Sequence, residues 1–85
     1  MRTGLRRRLH ALLLRRRTGS AIDARTVNLG VGGMCIATQR PLATDEVLDF
    51  DLLVSGADRV DGRARVLRQE GHDAYALRFE GLLEP

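Results

Sequence analysis

At 85 residues the chain can build one small core, and a domain of this size buries only about 60% of the surface its unfolded form exposes, so one compact domain is the ceiling. Apolar residues make up 44% of it and the aromatics are only Phe50, Tyr75 and Phe79, which argues against disorder and for a core of Leu, Val, Ile and Ala. The net charge is +3, every basic residue is Arg, and Arg2, Arg6, Arg7, Arg8, Arg15, Arg16 and Arg17 all precede the first acid, Asp23.

The first segment carries two readings. Leu5, Leu9, Leu12 and Leu13 fall on one helical face that Thr3 could cap, which predicts a helix over residues 3–16. The alternative is an extended arm through Arg8 followed by a strand over about 11–17, ending at Thr18-Gly19-Ser20. The apolar stretch from Leu12 to Leu14 stops at Arg15, too short for the core of a signal peptide, and nothing approaches the roughly 20 apolar residues of a membrane span. An acid-free, Arg-rich start also has the flavour of an organellar transit peptide, but it is poor in Ser and runs straight into the domain.

Beyond it, period two recurs. Residues 21–29 read as a strand of poor alternation, and Met34 with Ile36 opens another that closes before Pro41. Leu48, Phe50, Leu52 and Val54 alternate with Asp49 and Asp51, the clearest half-buried strand in the chain. Val60, Gly62, Ala64 and Val66 alternate with Asp61, Arg63 and Arg65 after the turn signal Ser55-Gly56-Ala57-Asp58, predicting a hairpin with the preceding strand. After Glu70-Gly71-His72-Asp73 the alternation Tyr75, Leu77, Phe79 supplies the last strand. Turns about ten residues apart predict an all-β, antiparallel sheet curled into a barrel or sandwich.

Three glycines crowd the stretch from Asn28 to Gly33. The tight connection needs residues that take positive φ or let another group approach the backbone. It is no dinucleotide fingerprint, because Cys35 stands where the last glycine would and no helix is predicted to follow, and no phosphate loop, because the chain lacks Lys. Bare backbone of this kind can present N–H groups to a ligand, or it can be simply a hairpin turn.

In arrangement the chain resembles the PilZ domain family, bacterial receptors of cyclic di-GMP. That family carries R-x-x-x-R in an N-terminal arm and [D/N]-x-S-x-x-G about twenty residues later. Arg2-Thr3-Gly4-Leu5-Arg6 reads as the first motif, and Asn28-Leu29-Gly30-Val31-Gly32-Gly33 as the second, with Gly30 in place of Ser. The run after Gly33, Pro41-Leu42, Arg65-Val66-Leu67 and Tyr75-Ala76-Leu77-Arg78-Phe79 extend the likeness over nearly the whole chain. It implies a basic arm over residues 1–10 and a small six-stranded antiparallel β-barrel over 11–85, with little or no C-terminal helix. It also implies a non-catalytic module that binds cyclic di-GMP, needs no cofactor and passes the signal to a protein partner.

The chemistry of the implied ligands is consistent. Arg2 and Arg6, with Arg7 offering a second register, can grip phosphate bidentately or bond and stack on guanine. Asn28 offers an acceptor and donors to a base edge, and Gly30 and Gly33 would leave room for the nucleotide. The missing hydroxyl at Gly30 removes a bond worth about 0.5 to 1.5 kcal/mol, so two outcomes stand open: a receptor, or a barrel that has kept its fold and serves as a ligand-free adaptor. A third reading, a basic barrel that binds RNA or DNA, is opposed by the want of aromatics to stack bases.

Other chemistry is sparse. His10 and His72 have no second metal ligand near them in sequence, Asp49 and Asp51 are explained as a solvated strand face, and no catalytic constellation is present. Cys35 is alone, which excludes an internal disulfide and fits a cytoplasmic protein, and its place in an apolar run predicts a buried side chain.

Overall fold

Apolar and charged residues that alternate along the chain become seven antiparallel strands in the computed structural model, which describes residues 11–55 and 58–82. They are β1 (Ala11–Arg16), β2 (Ala21–Ile22), β3 (Arg25–Leu29), β4 (Gly33–Ala37), β5 (Val47–Ser55), β6 (Asp58–Gly71) and β7 (Ala74–Leu82). No helix occurs among the described residues.

The extended reading therefore holds over 11–16, and the helical one fails there; residues 1–10 lie outside the described residues. The reason is tertiary. Leu14 is fully buried, Leu12 packs on the core and Leu13 between them is exposed, an alternation that a ladder with β5 from Ala11↔Leu53 to Arg16↔Leu48 fixes in place. The turn after β1 closes through the Gly19 N–H on the Arg16 carbonyl at 2.7 Å, with Gly19 at φ 104°, a conformation open to glycine.

Hydrogen-bonded strand order is β2-β1-β5-β6-β7-β4-β3. Its two edge strands, β2 and β3, are consecutive in the chain and joined only by Asp23 and Ala24. Two linking residues span three Cα–Cα steps, about 11 Å at most, so the sheet must curl until its edges meet. The ladder stays open at this seam, and the chain itself completes the ring. Residues 21–29, expected as one strand, are thus two: the first half pairs with β1, the second with β4. Counting them as one segment that changes partners recovers the six strands expected from the sequence.

The poor alternation of β3 has a cause. Thr26 pairs with Ile36 and Asn28 with Cys35, which leaves Val27 as an extra residue in a bulge. Val27 and Asn28 both turn outward, while Leu29 packs on the core.

Inside the ring, Leu14, Ile36, Leu48, Leu52 and Val66 are fully buried, and Phe50 stacks at 5.1 Å between centroids on Phe79. The Tyr75 hydroxyl, also buried, accepts from the Leu42 N–H at 3.2 Å. Thr38 pins the seam from inside: its hydroxyl donates to the Asp23 carbonyl at 2.7 Å, accepts from the Arg40 N–H at 3.2 Å, and its N–H donates to the Asp73 carbonyl at 2.9 Å. Cys35 departs from expectation, being only half-buried, because it points away from the core between the buried Met34 and Ile36.

Candidate functional site

Antiparallel pairing fixes which features share an end of the barrel. β1, β4 and β6 run one way, and β3, β5 and β7 the other. The start of β1, where residues 1–10 join the sheet, therefore lies at the same end as the β3–β4 turn, the β5–β6 turn and the last residues of β7.

At that end the β3–β4 connection is Gly30-Val31-Gly32. The Gly30 N–H donates to the Gly33 carbonyl at 2.9 Å, and the Phe79 N–H donates to the Gly32 carbonyl at 2.9 Å, which ties the turn to β7. Val31 at the tip is 99% exposed. None of the three glycines from 30 to 33 takes positive φ, so of the two reasons expected for them only close approach applies, and only at Gly33. There a Cβ would overlap the Leu77 carbonyl oxygen and come within 3.1 Å of the Arg78 Cα. Gly33 must be bare because β7 lies against it. Around Gly30 a Cβ would meet only the Gly33 oxygen at 3.8 Å, an ordinary contact, and Gly32 faces open space.

Of the residues singled out from the sequence, Asn28, Gly30 and Gly33 come together in this one hairpin end, with Asn28 exposed on the outer face. Arg2, Arg6 and Arg7 lie outside the described residues. Clefts of about 410 to 640 Å³ open elsewhere on the described surface, lined by other residues.

The outer face around it is rich in Arg. Arg65 and Arg78 stand directly opposite each other on β6 and β7, and Gly33 stands opposite Arg78 on the other side. Arg65 is engaged: its Nη2 donates to Glu80 Oε1 at 3.1 Å, its Nε to Glu80 Oε2, and its Nη1 to the Asp45 carbonyl at 3.2 Å. No local pattern marks Arg78 as a neighbour of the turn, since the β4–β7 register joins distant segments. Further along β6, Arg59 and Arg63 offset Asp51 and Asp49, at 2.8 and 3.6 Å. Near the seam, Arg16 Nη2 donates to the Pro41 carbonyl at 2.6 Å, while its Nε lies 3.2 Å from Glu46 Oε2 but out of line for a hydrogen bond.

The hydrogen bond and charge of Arg65 hold the Glu80 carboxyl below the ordinary carboxylate range, and Glu80 raises Arg65 in turn. A depressed carboxylate stabilises the fold above its unfolded pKa, and that contribution disappears as pH falls through the folded value. Glu80→Gln should therefore melt below the wild type at neutral pH and converge with it in acid; a gap that persists when the carboxyl is protonated would show that the ion pair is not its source. The pair is partly exposed, so the gap is small.

A small antiparallel barrel whose chain crosses its own seam, with the start of β1 at the same end as an Asn- and Gly-bearing turn, is the frame of the candidate site. A model of the PilZ domain matches residues 2–85, and the chain belongs to that family. No curated protein and no solved structure matches it. Among the described residues no helix is long and apolar enough to cross a membrane, and no group of three His, Cys, Asp or Glu side chains is placed to hold a metal.

Proposed function

We propose that this PilZ domain is a non-catalytic, cytoplasmic receptor for cyclic di-GMP that signals to a protein partner. The observation that carries the reading is the shared end: β1 begins where the Asn28–Gly33 turn lies. Arg6 precedes Ala11 by five residues, a reach of up to about 17 Å in extended chain, and the mechanism asks Arg6 and Arg7 to use that reach toward the turn, with Arg2 further out along the same segment. In this mechanism the arm brings guanidinium groups over the nucleotide to hold phosphate and stack on guanine, and Asn28 bonds a base edge from the barrel side. Gly30 and Gly33 contribute a low floor. Closure of the arm then creates the surface that a partner reads.

The ligand-free adaptor remains the second reading, favoured by one observation: Gly30 has no hydroxyl where the family motif has Ser. Titration calorimetry with cyclic di-GMP separates the two. The receptor predicts micromolar binding, weakened severalfold by Arg6→Ala and by Asn28→Ala. Absence of heat supports the adaptor, and absence of heat together with a gel shift of RNA or DNA would replace both with a nucleic-acid-binding barrel.

A further inference from the structure

The outer face beside the turn holds a cation whose position the fold makes costly. Arg78 is exposed on β7, and among the described residues no carboxylate lies within 4 Å of it. It also stands opposite Arg65 across the β6–β7 ladder. Like charges directly opposite destabilise a sheet, and Glu80 hydrogen-bonds Arg65 twice while its charge also acts on Arg78, so two facing guanidinium groups share one carboxylate and Arg78 has no hydrogen bond to it. Such an arrangement is repaid if an anion from outside joins it.

The backbone fixes where that anion would sit. Gly33 lies opposite Arg78 on β4, and no side chain rises from Gly33 to screen the guanidinium from the turn. The Phe79 N–H bond to the Gly32 carbonyl locks turn and strand together, so Arg78 cannot drift from the hairpin end. Asn28 is on the same outer face, two strands across and one row along, at a Cα separation of about 12 Å from strand spacing and rise. A nucleotide that spans base to phosphate fits between them.

We propose that Arg78 is a phosphate ligand of this site, gripping a phosphate of the nucleotide from the β7 side while Asn28 holds a base on the β3 side. The inference rests on the receptor reading above. Arg rather than Lys suits the task because its planar fork takes two oxygens at once.

The test is calorimetric titration of the 85-residue chain with cyclic di-GMP, with thermal melts of each variant alongside. Arg78→Gln should weaken binding about fivefold, the share of one partly exposed charge-assisted contact, and Arg78→Lys should recover part of the loss. The melting temperature of Arg78→Gln should match that of the wild type, because the lost repulsion with Arg65 offsets the lost attraction to Glu80. Loss of a structural arginine would lower it, so lower affinity accompanied by a lower melting temperature overturns the proposal. Wild-type binding that Arg78→Gln leaves unchanged overturns it as well, yet leaves the receptor standing. If the wild type does not bind cyclic di-GMP, both fall together.

Discussion

Replacing Gly33 with Ala is expected to destabilise the domain by about 3 kcal/mol, whereas Gly32→Ala at the preceding residue is expected to be nearly neutral. An added Cβ at Gly33 would overlap the Leu77 carbonyl oxygen and crowd the Leu77 carbonyl carbon and the Arg78 Cα. All three are backbone atoms in a ladder, so no rotamer change relieves them. β4 and β7 must part, and with them the buried pair Met34 and Leu77 on the adjacent row. Overpacking of this kind costs about 1 to 3 kcal/mol, and each ladder hydrogen bond lost adds about 1. For a domain of 60 to 100 residues that loss lowers the melting temperature by about 15 °C, a large part of the margin a small domain has. At Gly32 an added methyl meets nothing within 4 Å and φ is not positive, so Ala there stiffens the unfolded chain without strain in the folded one. Thermal melts followed by circular dichroism decide the matter. Equal losses at the two positions would mean that the turn needs glycine for its own conformation, contrary to the close approach of β7.

That contrast marks where the sequence was readable. β5, β6 and β7 announce themselves because each carries its face pattern locally: Leu48, Phe50 and Leu52 inward, Asp49 and Asp51 outward, with Gly-containing signals at the turns. Period two says which face a side chain takes and nothing about which strand lies beside it. Residues 21–29 could be read as strand, but the change of partner at Asp23 and Ala24, which closes the barrel, is a property of the ring rather than of the segment. The bulge at Val27 hid half of the β3 alternation in the same way. Residues 11–16 were ambiguous because Leu12 and Leu13 satisfy a helical stripe as well as Leu12 and Leu14 satisfy a strand, and only the β5 ladder chooses.

The candidate site shows the same division. Asn28, Gly30 and Gly33 belong to a motif that is contiguous in the chain, and they form one hairpin end. The reason for Gly33 lies in Leu77, and the neighbour Arg78 enters through the same β4–β7 register, neither of which a local pattern encodes. A motif records that a position is constrained, and only the packing tells whether the constraint is the ligand or the fold.

Gly30 is the position where those two constraints separate, and Gly30→Ser is expected to raise affinity for cyclic di-GMP up to tenfold with little change in stability. A Cβ there approaches only the Gly33 carbonyl oxygen, at 3.8 Å, so the site admits a side chain that the present sequence omits. Nothing in the fold requires glycine at this turn residue. Restoring a hydroxyl beside Asn28 offers one more hydrogen bond to a bound nucleotide, worth about 0.5 to 1.5 kcal/mol. The direction of the result is informative in each case. If the wild type binds weakly and the Ser variant more tightly, the domain is a receptor set to respond at higher ligand concentration. If only the Ser variant binds, the barrel and arm have kept the rest of the site, and Gly30 alone makes the natural protein an adaptor. If neither binds while both melt alike, the loss lies beyond this hydroxyl, and the receptor reading ends there.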